Sequence, residues 1–154
     1  MNVRLVQLTR SAKEDTVSIP QITPYLHFDG QADAAIEHYS KALGARVVAI
    51  MRQSEAPGMP ATAKNRVMHS ELRIGDAAIM LGDVMPGGSA ARDSSIHVCV
   101  QFTDATEMSQ RFAALAEGGK TDYPIHDSFW GSKFGMLTDR FGVHWMFNCE
   151  VKKQ

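Results

Sequence analysis

The sequence predicts an α+β fold of two tandem βαβββ modules, and three observations carry that expectation. Short apolar strands of period two alternate with two amphipathic helices. Glycines and prolines cut the chain into short pieces. The order of pieces in residues 20–85 then returns in residues 93–150. Residues 1–19 stand apart as an N-terminal extension, and 20–150 form a single domain of the two modules.

In the first module, Ile22 to Phe28 reads as a strand, with Ile22, Leu26 and Phe28 on one face and Thr23, Tyr25 and His27 on the other. Gln31 to Leu43 follows as a helix, because Ala35/Ile36, Tyr39 and Ala42/Leu43 recur at helical spacing and Gly44 is placed to end it. Arg46–Arg52, Arg66–Ile74 and Ala77–Leu81 complete the unit as strands. Residues 54–65 fit no element and read as a mobile loop of a size that often serves as a lid.

The second module opens after Pro86-Gly87-Gly88-Ser89. Ile96 to Phe102 alternates as a strand. Asp104 opens a helix with Glu107 three residues on, an acidic version of the capping box. Met108, Phe112 and Leu115 give that helix its apolar stripe, and Gly118-Gly119 stops it. Lys120–Tyr123, Ser132–Thr138 and Val143–Asn148 close the sequence of strands. Aligning the halves sets Phe28 against Phe102 and Ile79-Met80-Leu81 against Trp145-Met146-Phe147, which places Thr23 opposite His97.

Composition bounds the function. The 154 residues carry 16 Lys+Arg against 17 Asp+Glu, a net charge of −1, with no basic face to track phosphates. No apolar run reaches the length of a membrane span, and residues 1–19 lack the apolar core of a secretory signal. Two cysteines are too few for a secreted disulfide framework; Cys99 and Cys149 both read as buried free thiols in a reducing, cytoplasmic setting. Nothing matches a dinucleotide, Walker or Gly-x-Ser-x-Gly loop.

Five strings narrow the class: Ile22 to Leu26, Ala34 to Tyr39, Met68 to Leu72, Phe129-Trp130-Gly131, and Phe134 to Trp145. Together they resemble the PhnB-like branch of the vicinal oxygen chelate superfamily, which includes glyoxalase I, extradiol dioxygenases and bleomycin resistance proteins. The resemblance spans roughly residues 20–150. It implies two curved sheets forming a cleft (the glyoxalase/bleomycin-resistance-like fold) and frequent homodimerisation. Names attached to the branch include a ubiquinone-pathway methyltransferase, but nothing in the chain resembles a methyl-donor fold.

The resemblance also implies a test. Metal-dependent members place one ligand on the first and one on the last strand of each half, a His/Gln and Glu set. Here His97 fills one seat, while the repeat register puts Thr23, Met80 and Met146 in the other three. Thioethers are soft, neutral ligands that suit Cu(I) rather than Mg, Mn, Fe(II) or Zn. The usual metal site is therefore expected to be missing, with no cofactor required. A displaced divalent site, if present, would use His97 with His69 and Glu71, which share one strand face.

The candidate ligand-binding residues are His97, Cys99, His69, Glu71, Tyr25, Trp130, Met80 and Met146. If their strand face lines the cleft, His69 and Glu71 could meet His97 and Cys99; the alternative is a strand whose polar face is solvated or cross-paired. Trp145 reads as core. His27, His38, His126 and His144 read as surface or loop residues, with His38 on the polar side of its helix. The expectation is a metal-free protein that binds a small, largely apolar or aromatic molecule as a homodimer, without nucleic acid or membrane. The alternative is a lyase, isomerase or dioxygenase with the displaced metal; whether any reaction is catalysed stays open.

Overall fold

The structure, a computed structural model, describes residues 20–151 apart from Lys64 and Arg92, so the N-terminal extension lies outside the described residues. The first module contains β1 (Tyr25–Phe28), α1 (Ala32–Leu43), β2 (Arg46–Arg52), β3 (Val67–Ile74) and β4 (Ala77–Asp83). The second contains β5 (Val98–Phe102), α2 (Ala105–Ala116), β6 (Lys120–Asp127), β7 (Ser132–Thr138) and β8 (His144–Glu150). Each forms a four-stranded mixed sheet, ordered β1-β4-β3-β2 and β5-β8-β7-β6. This is the predicted α+β fold of two tandem βαβββ modules.

The pairing register tests the internal alignment directly. β1 runs parallel to β4 with Tyr25 opposite Met80, and β5 runs parallel to β8 with Cys99 opposite Met146. Tyr25 and Cys99 are the positions the alignment equates, as are Met80 and Met146. The two sheets thus superimpose one register on the other.

Burial follows the two-residue alternation. Leu26, Phe28, Leu72, Ile79 and Leu81 turn toward α1, while Phe102, Leu137, Trp145 and Phe147 turn toward α2. These side chains form one continuous cluster through both modules, because α1 and α2 pack against each other as well as against their sheets. The cross-module contacts are specific. Tyr39 of α1 meets Trp145 edge-on at 5.4 Å and donates its hydroxyl to Asp139 Oδ2 at 2.7 Å.

Both helices end as their sequences direct but begin differently. Gly44 takes φ +66°, open to glycine at little cost, and Ala45 N–H reaches back to Tyr39 O at 3.3 Å. Asp104 caps α2, accepting from Glu107 N–H at 2.6 Å. The reciprocal half of the expected capping box is not made, because Glu107 reaches forward to Arg111 Nε at 2.7 Å. Gln31, at the start of α1, makes no side-chain cap. Asp83 supplies it from β4, its Oδ1 accepting from Ala32 N–H at 3.1 Å while Oδ2 accepts from Val67 N–H at 2.9 Å.

Several expectations need correction. β1 starts at Tyr25 and β5 at Val98; Ile22 and Ile96 lie outside the ladders, 89% and 73% exposed. Residues 54–65 are not featureless. Two 3-10 turns, Gln53–Glu55 and Ala61–Ala63, tie the segment down, with Gln53 buried and donating to the carbonyls of Asp83 and Val84, and Ala63 buried as well. β6 continues past Tyr123 to Asp127, because Pro124 sits on a sheet edge at a register shift, where its missing N–H costs no ladder bond. Cys149 is buried, but Cys99 is exposed, since its strand position faces away from the helices. His38 is buried between the helices, its Nε2 paired with Leu115 O at 3.1 Å; its position on the helix turns it toward α2, not solvent. His144 belongs to β8 and is half-buried. Among the described residues no helix is long and apolar enough to cross a membrane.

Candidate functional site

The sheet faces turned away from the helices carry most of the candidate residues. In the first sheet the register aligns Tyr25, Met80, Glu71 and Ala49 across four strands. In the second it aligns Cys99, Met146, Met136 and Tyr123. Each row crosses a whole sheet and mixes polar groups with polarizable methionines.

On the first sheet, Tyr25 is the organising side chain. Its phenol oxygen lies 3.2 Å from His69 Nδ1 and 3.3 Å from Met68 O, and its ring stacks on that of His69 at 5.7 Å. Partial burial raises the phenol above its ordinary range, so it stays a hydrogen-bond donor. Gly82 makes this arrangement possible: a Cβ there would sit 2.6 Å from Met68 O and 3.0 Å from the Tyr25 hydroxyl. Glu71 pairs through Oε1 with Arg73 Nε at 3.1 Å.

On the second sheet, Gln101 joins Asn148, which donates to its Oε1 at 2.9 Å, and donates in turn to Cys99 Sγ at 3.4 Å. Desolvation raises the Cys99 thiol above its ordinary range, partly offset by Gln101, so the residue stays a neutral thiol rather than a nucleophilic thiolate. His97 precedes β5 and lies with its ring 5.2 Å from that of His144. Trp130 is 51% exposed, edge-on to Phe129 at 5.0 Å and to Phe134 at 5.3 Å. Trp145 is fully buried.

The structure does not bring His69 and Glu71 to His97 and Cys99. They lie on different sheets, and none of the three main cavities is lined by His69, Glu71, Met80, Met146 or Trp130. One cavity, of about 420 Å³, holds His97 with His144, Thr138, Asp122 and Lys120. A second, of about 590 Å³, opens between the modules, walled by Leu26, Val98 and Val143 with Tyr25, His27 and His144. A third, of about 660 Å³, runs between the β3–β4 turn and β5 and includes Cys99. Sequence reasoning missed His144, Thr138 and Asp122. They come from three strands, and only tertiary register juxtaposes them.

The donor set does not fit the divalent ion of the metal-dependent superfamily members. The ladder puts Met80 and Met146 in equivalent positions of the two sheets, a thioether in each position where the resemblance implies a carboxylate. Among the described residues no three His, Cys, Asp or Glu side chains converge to hold a metal.

Comparison with known proteins places this architecture. A family model described as 3-demethylubiquinone-9 3-methyltransferase matches residues 20–147. Protein YjdN of Escherichia coli is 34% identical over 147 residues, covering 86% of this chain and 97% of its own. The crystal structure of protein PA1353 from Pseudomonas aeruginosa is 37% identical with a TM-score of 0.78, covering 86% of this chain and 98% of that one. At 24% identity and a TM-score of 0.71, the PhnB protein of Bacillus cereus shares the fold over 84% of this chain and 98% of its own.

Proposed function

Since the chain belongs to the PhnB-like 3-demethylubiquinone-9 3-methyltransferase family of the vicinal oxygen chelate superfamily, we propose that it binds a small, largely apolar or aromatic molecule without a divalent metal. The observation that carries this reading is the matched pair of methionines, Met80 and Met146, in the last strand of each module. They put a neutral thioether where a hard cation needs an anionic ligand and give the outward face of each sheet a pliable, polarizable group, while the inter-module cavity beside them is walled by Leu26, Val98 and Val143. Tyr25, paired with Met80 across β1 and β4 and lining the inter-module cavity, and His97, in the neighbouring cavity, give a ligand's polar group something to orient against.

The methyltransferase description of the family model stays with that model. This chain offers no glycine-rich donor loop, and its sheets are not the parallel, doubly wound kind that cradles a nucleotide-like donor.

A second copy of the chain completes the site in this reading. The face bearing Tyr25, His69 and Met80 and the face bearing Cys99 and Met146 belong to separate sheets within one chain, and both look away from the shared core. The edge strand β2 supports a dimer contact: Val47, Val48, Ile50 and Met51 are 42–52% exposed, so apolar groups on both of its faces lack cover. The superfamily's frequent dimers and a cytoplasmic location agree with this proposal.

Thermal melts against a panel of small aromatic ligands, with EDTA or divalent ions added in parallel, test the reading. Ligand-dependent stabilisation that is indifferent to EDTA supports it. Stabilisation that requires a divalent ion favours the metal-dependent lyase, isomerase or dioxygenase alternative.

A further inference from the structure

The cavity that holds His97 contains a hydrogen-bonded chain whose polarity follows from simple bookkeeping. Thr138 on β7 donates its hydroxyl proton to Asp122 Oδ2 at 2.7 Å, and the same hydroxyl oxygen lies 2.9 Å from His144 Nδ1 on β8. Asp122 is held below the usual carboxylate range, first by that hydroxyl and then by Lys120 at 3.2 Å, so it only accepts. The single hydroxyl proton of Thr138 is thereby spent. Its oxygen has only lone pairs left for His144, which must donate from Nδ1. A neutral imidazole protonated at Nδ1 carries its free lone pair on Nε2, on the far side of the ring from Thr138.

Position gives that lone pair a use. Among the described residues, His144 alone lines both the cavity with His97 and the inter-module cavity walled by Leu26, Val98 and Val143. Of the other polar groups, His69 is engaged with Tyr25, Glu71 with Arg73 and Gln101 with Asn148, while His97 lines only the first cavity, its ring 5.2 Å from that of His144.

We propose that His144 is the polar anchor of the small-molecule site, fixed as the Nδ1–H tautomer by Thr138 and Asp122 so that Nε2 accepts a hydrogen bond from a hydroxyl or N–H group on an otherwise apolar ligand. This rests on the metal-free binding reading and narrows it to ligands that carry a donor. Thr138 and Asp122 are positioning residues, because they act through the imidazole.

Long-range proton–nitrogen correlation spectra of ¹⁵N-histidine-labelled protein test the tautomer. They are recorded well above the ordinary histidine range, with His144 assigned by the His144→Gln variant. The expected spectrum shows a protonated Nδ1 and an unprotonated Nε2 at His144. Thr138→Val should shift the ring toward the Nε2–H form that free histidine favours. Phenol and its donor-free analogue anisole then serve as probes. Phenol should perturb His144 Nε2 and bind about tenfold more weakly to Thr138→Val, the scale of one lost hydrogen bond, while anisole binding should not change. An Nε2–H tautomer in the unsubstituted protein, or equal affinities for phenol and anisole, overturns the proposal and leaves the small-molecule reading standing. Failure of both probes to bind overturns both.

Discussion

Asp139 shows what a single residue contributes to this molecule. Its Oδ1 accepts from the N–H groups of Phe141 and Val143 at 2.9 and 3.0 Å, and its Oδ2 from Tyr39 Oη and Trp145 Nε1 at 2.7 and 3.0 Å. One buried carboxylate therefore folds its own turn, anchors the core tryptophan and locks the helix of the other module. Asp139→Asn keeps the shape but turns an amide N–H₂ toward two of those donors, and each orphaned donor costs about 1–3 kcal/mol. Urea unfolding should show the free energy falling by that scale, through a lower midpoint at an unchanged slope; an unaltered midpoint would refute the assigned role. Burial first, and then the Asp139 carboxylate, hold the Tyr39 phenol well above its ordinary range. The folded chain keeps this proton more tightly, so the stabilisation is full below the unfolded value of about 10 and fades as pH rises through the folded value. Stability measured from neutral to strongly alkaline pH should fall more steeply in the native protein than in Tyr39→Phe. The Phe134 to Trp145 string is legible as a family mark, but its reason is not: Tyr39, one of the donors to Asp139, lies 100 residues away in the sequence.

At the scale of elements, local chemistry was readable and distant chemistry was hidden. α2 announces itself because its cap, Asp104, is adjacent in sequence. α1 takes its cap from Asp83, 51 residues downstream, and Gln31 gives no hint of it. The two caps should therefore differ in weight. Asp104→Ala removes an exposed cap worth about 1 kcal/mol. Asp83→Ala leaves the buried N–H groups of both Ala32 and Val67 unpaired, at about 1–3 kcal/mol each. Equal losses in parallel urea titrations would contradict this division. The strands were readable by alternation wherever one face is buried, as in β3, β4, β7 and β8. Alternation alone starts β1 and β5 too early, because Ile22 and Ile96 continue it past the point where a partner strand exists. Gly82 falls in the same class: only the packing of β3 and the Tyr25 hydroxyl over it shows why a side chain is excluded. Gly82→Ala should cost about 1–3 kcal/mol, as overpacking does, and should also disturb the Tyr25–His69 contact, visible as altered His69 resonances.

For the molecule as a whole, the repeat was the most legible feature, because two sheets with one register must place equivalent residues at equal offsets. That same arithmetic located the methionine seats. Which groups would share a cavity was not legible. Period-two reasoning assigns a residue to a face but does not say which face of which sheet it will meet, so a meeting of His69 and Glu71 with His97 stays conditional on the sequence, and His144 reads only as a surface or loop histidine. The exposed apolar edge at β2 leads to a prediction at this scale: the protein should sediment at twice its 16.9 kDa chain mass, and Val48→Asp should shift it toward the single-chain mass without loss of folded signal. A native protein that remains a single chain at all concentrations would remove the second copy from the site.

The most direct test of the metal-free account is elemental analysis of protein purified without chelator, followed by melts with and without each divalent ion. A true site at a hundredfold excess over its Kd adds about 2.7 kcal/mol, a rise of roughly 5–10 °C for a chain of this size. The account predicts metal far below one equivalent and unshifted melts; near-stoichiometric Zn, Fe, Mn or Ni, with a rise of that order, would contradict it.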